Sequence, residues 1–332
     1  MSATKPLPRK IKVKWPQLDI TVTAVMNDEA NAHLIDILYE RLPYRSLQNH
    51  ALVSGDHLYH LVPAEKLIYT KGNYIVPNRV MEPDGTVFLS GLQHLAIKYG
   101  PLTEYLPAAP CGKIVAEDMA QLVRAGTAIW NACNSSKQVI EVVVWDATKP
   151  EPTEQLFLPL ERMGTTKEVM RLVEAIHAET EKSWSAVSYD LQLVHTGCAL
   201  SGAGSKNSYF ATMVFINGEI RPLGYNILNN ILKIAETDPE FKLRHLVQLF
   251  RVFASIPSEF VGYAGATFLY QTFRQIDRVI DGVILSHENE QQGRADFLAL
   301  VSAFAKYVNL LNAQNLHVFP WRHGAEYLLL RN

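Results

Sequence analysis

Between Asn49 and Tyr105 the chain gathers His50, His57, His60, Lys71, Tyr74, Arg79, Gln93, His94, Tyr99, Thr103 and Glu104. An imidazole exchanges protons near neutral pH, a carboxylate or phenol serves as its counterpart, and lysine and arginine bind carboxylates. No other stretch of the sequence holds such groups as densely. The chemistry they could do is proton transfer on small anionic molecules.

Motifs for other chemistries are weak. Ser201-Gly-Ala-Gly-Ser-Lys206 lacks the third glycine of a dinucleotide fingerprint and the spacing of a phosphate loop, and it reads as a loop. His57 and His60 are three residues apart in a strand pattern, which sends them to opposite faces and away from a shared metal ion. No metal site is expected. Cys111, Cys133 and Cys198 lie far apart in runs that look packed rather than reactive, and no Gly-x-Ser-x-Gly elbow is present.

The elements that must position the cluster follow from periodicity. Ile11, Val13 and Trp15, then Ile20, Val22 and Ala24, alternate with polar residues about a turn at Pro16-Gln17 and predict two strands. Asn27 or Asp28 caps a predicted helix with Ala30, Leu34, Ile37, Leu38 and Tyr39 at helical spacing. Short apolar runs follow at Ala51–Val53, Leu58–Val62, Tyr74–Val76, Val87–Leu89, Leu92–Tyr99, Cys111–Val115 and Val139–Trp145, interrupted by a helix over Asp118–Cys133. Many short strands punctuated by Gly and Pro predict a closed or half-closed antiparallel barrel over residues 1–146. Alternation on the strand near Tyr99 puts Gln93, Leu95, Ile97 and Tyr99 on one face and His94, Ala96 and Lys98 on the other.

Residues 147–154, with Pro150 and Pro152, read as a linker, and 155–332 as a helical domain. Thr165-Thr-Lys-Glu168 predicts a capping box before Val169, Leu172, Val173 and Ile176. Asp238-Pro-Glu predicts a helix start ahead of Leu243, Leu246, Val247, Phe250 and Phe253, and Thr267–Leu285 and Asp296–Leu311 predict two more helices. Asn217-Gly218 between Tyr209–Ile216 and Glu219–Leu223 predicts a small β-hairpin insertion. The fold class is α+β, an N-terminal antiparallel β-barrel followed by a C-terminal helical bundle.

Composition bounds the function. With 31 Lys+Arg against 33 Asp+Glu, the formal charge of −2 provides no field for nucleic acid or an anionic membrane. At 332 residues and 48% apolar the chain can bury two cores, which excludes a disordered or fibrous protein. The basic residues Lys5, Arg9, Lys10, Lys12 and Lys14 are followed by no apolar signal segment, and no stretch reaches the ~18 apolar residues of a membrane span. The expected compartment is the cytoplasm, and the apolar helices suit a homodimer.

Three segments carry a family resemblance: Ser54-Gly-Asp-His-Leu-Tyr-His-Leu-Val-Pro63, Gly91-Leu-Gln-His-Leu-Ala-Ile-Lys-Tyr-Gly-Pro-Leu-Thr-Glu104 and Pro110-Cys-Gly-Lys-Ile-Val115. Over about residues 10–146 they resemble the cyclophilin-like barrels of bacteria and archaea. Gln93 matches that family's glutamine, His60 stands where its isomerase arginine would be, and Leu95 replaces a pocket phenylalanine. A cyclophilin-like domain joined to a helical bundle at this length resembles the cucumopine/mikimopine synthases. That resemblance implies a Pictet–Spengler condensation of L-histidine with 2-oxoglutarate, without redox cofactor or metal. On that chemistry His60 and Glu104 are expected to supply acid–base catalysis, with Tyr99 donating a proton or orienting the intermediate. Lys71, Arg79 and Gln93 are expected to hold the substrate carboxylates. The alternative is a cyclophilin-like module that binds a peptide or metabolite without turnover, or a weak prolyl isomerase.

Overall fold

The alternation at the N-terminus forms β1 (Lys10–Trp15) and β2 (Ile20–Met26), an antiparallel pair around the 3-10 turn Pro16–Leu18. The computed structural model to which they belong describes residues 8–195 and 216–318. The chain divides into two compact units, Met1–Pro159 and Leu160–Asn332.

In the first unit, β1 and β2 bury Ile11, Val13, Trp15, Ile20, Val22 and Ala24 on one face. Helix α1 (Asp28–Tyr39) adds Leu34, Ile35 and Leu38 to the same core. The remaining strands are β3 (Tyr44–Leu47), β4 (Asn49–His50), β5 (Gly55–Leu61), β6 (Thr86–Leu89), β7 (His94–Leu102), β8 (Ala109–Ile114) and β9 (Glu141–Asp146). A short helix, α2 (Lys66–Tyr69), follows β5. The sheet has nine strands in the order β3-β9-β1-β2-β8-β6-β7-β5-β4. Only Gln48 separates β3 from β4, so the continuous segment 44–50 joins both edges and nearly closes the barrel. Gln48 secures this seam: its amide donates to the carbonyls of Asn49 and Tyr59, and its Oε1 accepts from the Trp15 indole at 2.9 Å. Helix α3 (Met119–Asn131) packs Leu122, Ala125 and Ile129 into the core. Two predicted runs form no strand. Val53 in Ala51–Val53 is exposed, and Tyr74–Val76 contributes one isolated bridge, Val76 to Ala108.

The second unit contains α4 (Lys167–Lys182), α5 (Tyr189–His195), α6 (Asn229–Thr237), α7 (Leu243–Tyr263), α8 (Thr267–Gly282) and α9 (Glu290–Val318). Helix α9 runs through its core, burying Phe297, Leu300, Val301, Phe304, Val308 and Leu311, and Phe250 of α7 packs against Phe273 and Phe297. None of the described helices is long and apolar enough to cross a membrane.

Three local expectations are corrected. The hairpin is absent where it can be seen: residues 216–221 are helical and run through a π-helical turn, Pro222–Leu228, into α6. Ile216, Ile220 and Leu223 are fully buried, a stripe at helical spacing that outweighs the Asn-Gly turn signal. Residues 209–215, like the glycine loop at 201–206 and Cys198, lie outside the described residues. Helix α7 starts at Leu243 rather than Pro239, because Asp238 Oδ1 accepts the Glu240 amide and turns the chain. The α4 cap is Thr166, which accepts from Val169, while the Thr165 amide donates to Asp296.

The helical assignment at Asn217-Gly218 is testable by stability. Gly218 is exposed, and a Cβ there would meet nothing within 4 Å. Gly218→Ala is expected to raise unfolding stability by about 0.5–1 kcal/mol. A type I′ turn would instead make alanine destabilising, and urea denaturation distinguishes the two.

Candidate active site

Strand parity divides the polar cluster into two sets. On β5 and β7, Leu58, Leu95, Ile97 and Tyr99 belong to the barrel core. His60 stands opposite Leu95 and His50 opposite Leu58, so both histidines share the interior face. On the outer face, Asn49, Tyr59, Ala96 and Phe88 form a row across β4, β5, β7 and β6, and His57 stands opposite Lys98 in the next row.

The interior set is saturated. His60 is 1% exposed, with its Nε2 2.9 Å from the Tyr44 hydroxyl and its Nδ1 3.2 Å from Gln48 Oε1. Since Gln48 Oε1 can only accept, Nδ1 carries the proton and Nε2 accepts from Tyr44. Burial, then repulsion from His94, lowers the His60 pKa to about 3. The imidazole is a neutral, fully bonded core group, bonded to Tyr44 and Gln48 rather than to Glu104 or Tyr99. Tyr99 is likewise interior. Its hydroxyl bonds to His50 Nε2 at 2.7 Å, and its ring packs so closely on α3 that a Cβ at Gly126 would lie 2.5 Å away. Burial raises its pKa, with the neighbouring Asp56 carboxylate acting in the same direction.

The outer set is unsaturated. Arg79 opens a 3-10 turn, Arg79–Met81, whose cap is Asn78 accepting from Val80. The Arg79 amide donates to Leu106 at 2.9 Å, and its guanidinium pairs with Glu104. Arg79 Nε, His57 Nε2 and both amide atoms of Asn49 are buried with no hydrogen-bond partner. Leaving a buried polar atom unpaired costs about 1–3 kcal/mol, so such a group of orphans is expected where a ligand supplies the missing partners. Asn49 faces Tyr59, which places it diagonally from His57 at roughly 7 Å between strands. Burial first, then the charges of Arg79, His94 and His50, lowers the His57 pKa to about 3 and keeps its imidazole neutral. Tyr59 stacks on His94 at 4.8 Å and His57 meets Phe88 edge-on at 6.2 Å, which gives the face aromatic walls.

Of the six residues singled out in the sequence, the structure brings Arg79 and Glu104 together. Lys71 is exposed, and its carbonyl accepts from His33 of α1. Gln93 sits in the β6–β7 turn with φ 60° and precedes β7, whereas Glu104 follows it; nine strand residues at ~3.3 Å each separate them by roughly 30 Å. Asn49 and His57 are the residues sequence reasoning passed over. Their sequence signal is indirect: Leu95, Ile97 and Tyr99 mark an apolar face on β7, and it takes the pairing of β7 with β5, and of β5 with β4, to carry that distinction to His57 and Asn49. Cys111 and Cys133 are buried, and burial pushes their thiols up to about 12 and 11. Among the described residues no group of three His, Cys, Asp or Glu could hold a metal ion.

Comparison with known proteins places this geometry in context. Residues 169–318 match the cucumopine synthase C-terminal helical bundle domain. The solved structure of McbB in complex with tryptophan is 46% identical and superposes with a TM-score of 0.87, covering 96% of this chain and 99% of that one. The chain belongs to the same family as McbB. Both findings support a synthase of the Pictet–Spengler type. The solution structure of the hypothetical protein AF2241 from Archaeoglobus fulgidus is 12% identical, with a TM-score of 0.31, over 44% of this chain and 100% of that one. No curated protein sequence matches the chain.

The buried histidines of this McbB relative predict a pH dependence. With a folded pKa of about 3 against 6.5 unfolded, His60 takes up a proton on unfolding at any pH between those values. Its contribution is therefore intact above pH 6.5 and lost progressively as pH falls toward 3. His60→Gln is expected to shrink the loss of unfolding free energy between pH 7 and 5.5 by about 1 kcal/mol, measured by urea titration at the two pH values.

Proposed function

We propose that the protein is a ring-closing synthase that joins an amino acid bearing an electron-rich ring to a carbonyl compound on the outer barrel face of β4, β5 and β7. The observation that carries this reading is the Arg79–Glu104 pair beside the buried, unpartnered atoms of Asn49 and His57. McbB was solved with tryptophan, and its likeness spans nearly the whole chain, which favours tryptophan as the amine partner. L-Histidine with 2-oxoglutarate is the second pair, supported by the cucumopine synthase match to the helical half.

The amine attacks the carbonyl carbon, the oxygen leaves as water to give an iminium, the ring carbon attacks the iminium carbon, and that ring carbon then loses its proton. Glu104 takes this last proton and returns it to the departing hydroxyl in the dehydration step of the next turnover. Arg79 binds a substrate carboxylate through donors that Glu104 leaves open, the guanidinium fork suiting that partner. Neutral His57 and Asn49 orient the amine and carbonyl by hydrogen bonds. Holding both reactants in one geometry contributes more than any single proton transfer.

Incubation of the purified protein with tryptophan or histidine and 2-oxoglutarate or a small aldehyde is expected to yield a product mass equal to the sum less one water. Failure of every pairing with folded protein overturns the reading. Glu104→Gln is expected to lower kcat at least 100-fold, and Arg79→Met to raise KM for the carboxylate-bearing substrate at least tenfold. His60→Gln should keep turnover within threefold; an inactive but folded His60→Gln would return the chemistry to the barrel interior.

A further inference from the structure

Lys98 is charged and buried on the outer face of β7, with a side chain 8% exposed. An apolar residue would cover the sheet there at lower desolvation cost, so the ammonium needs a reason. Its contacts all belong to one loop. Nζ donates to the carbonyls of Val80, at 3.3 Å, and Glu82, and pairs with Asp84 at 3.1 Å. The loop's other backbone bonds are internal, Val80 and Met81 to Asn78 and Glu82 to Arg79, or lie toward its ends, Arg79 to Leu106, Thr86 to the Pro83 carbonyl, Gly85 to the Lys98 carbonyl and Ile114 to the Gly85 carbonyl. Met81 is 78% exposed, so the segment has little apolar anchorage. Among the described residues, the polar contacts that tie Val80–Asp84 to β7 run through this ammonium, and at the start of β6 the Thr86 amide and hydroxyl hold the Pro83 carbonyl.

We propose that Lys98 is a positioning residue, a three-point clasp that holds the 79–84 loop on the sheet and so aims the Arg79 guanidinium at Glu104 and the substrate carboxylate. The proposal rests on the reading of Arg79 and Glu104 as the reacting site. The loop begins at Arg79, and the clasp holds the very next residue, Val80, by its carbonyl. Once Val80 is released, the Arg79 backbone is left to turn about its bond to the Leu106 carbonyl, which carries the guanidinium away from Glu104. Lys98 also stands opposite His57, so one side chain sets both the loop and the flank of the orphaned imidazole.

The test has a ligand-free arm and a kinetic arm. In Lys98→Met, amide hydrogen exchange over residues 80–84 is expected to rise at least tenfold while β1 and β2 stay protected; unchanged exchange overturns the clasp. With tryptophan as the varied substrate, Lys98→Met should raise KM at least tenfold with a smaller change in kcat. In an Arg79→Lys background the same substitution should add less than twofold, because it acts through Arg79; additive effects overturn the positioning role. Should Lys98→Met fail to fold, Asp84→Asn at the half-exposed end of the clasp is expected to raise exchange at 82–84 about threefold, and no rise overturns the proposal. Normal activity in Arg79→Met would instead overturn the reading of the site and leave the exchange result standing.

Discussion

The pairing of β5 with β7, His57 opposite Lys98 and His60 opposite Leu95, governs the rest of the first unit. Side chains alternate across a strand, so one choice of inner face commits every residue on both strands. Leu58, Leu95, Ile97 and Tyr99 fill the barrel, and His57, Tyr59, His94, Ala96 and Lys98 are thereby turned outward. A register slip by one residue would exchange the two sets. Segment 44–50 makes such a slip costly, since it hydrogen-bonds β9 through β3 and β5 through β4 with Gln48 bridging both.

The two faces treat their polar groups in opposite ways. Inside, each buried polar group is satisfied: Trp15, Gln48, His60 and Tyr44 form one chain of hydrogen bonds, and Tyr99, His50 and Ala51 form another. These networks specify a single core packing. Outside, an arginine, a histidine and an asparagine keep buried atoms without partners. Retaining such atoms lowers stability, and proteins tolerate that at sites where a ligand completes the bonding. The charges add direction. Burial, and after it the charge of Arg79, keeps a proton off His57, so the imidazole beside the ion pair is neutral and can accept as well as donate.

The second unit follows a different logic. Helix α9 supplies a long buried strip that accepts α4, α7 and α8, and its Asp296 reaches out to the start of α4, where it accepts from Thr165, and pairs with His287. The stripe Ile216, Ile220 and Leu223 joins this core as helix although its central dipeptide suits a turn. A local turn preference of about 1 kcal/mol is smaller than the burial of three aliphatic side chains at roughly 1.5–3 kcal/mol each.

Much of this was legible from the chain alone. Periodicity marked β1, β2, α1, α3 and most of the helical half, because amphipathic patterning reflects burial directly. The density of ionisable groups between Asn49 and Tyr105 marked the region of the candidate site, and Arg79 and Glu104 within it. What the sequence by itself could not decide was the face. On β5 both sets, Leu58 with His60 and His57 with Tyr59 and Leu61, mix apolar and polar residues, so alternation names two faces without ordering them. Only tertiary structure resolves this, through pairing with β7 and the seal of Gln48, and it makes His60 a core group while leaving His57 beside Arg79. The same holds for Lys98, whose partners are main-chain carbonyls of Val80 and Glu82 that carry no mark in the sequence. Residue type and spacing determined what chemistry was available, and the register of the closed sheet decided which atoms meet, because hydrogen bonding across strands depends on position in space and not on separation along the chain.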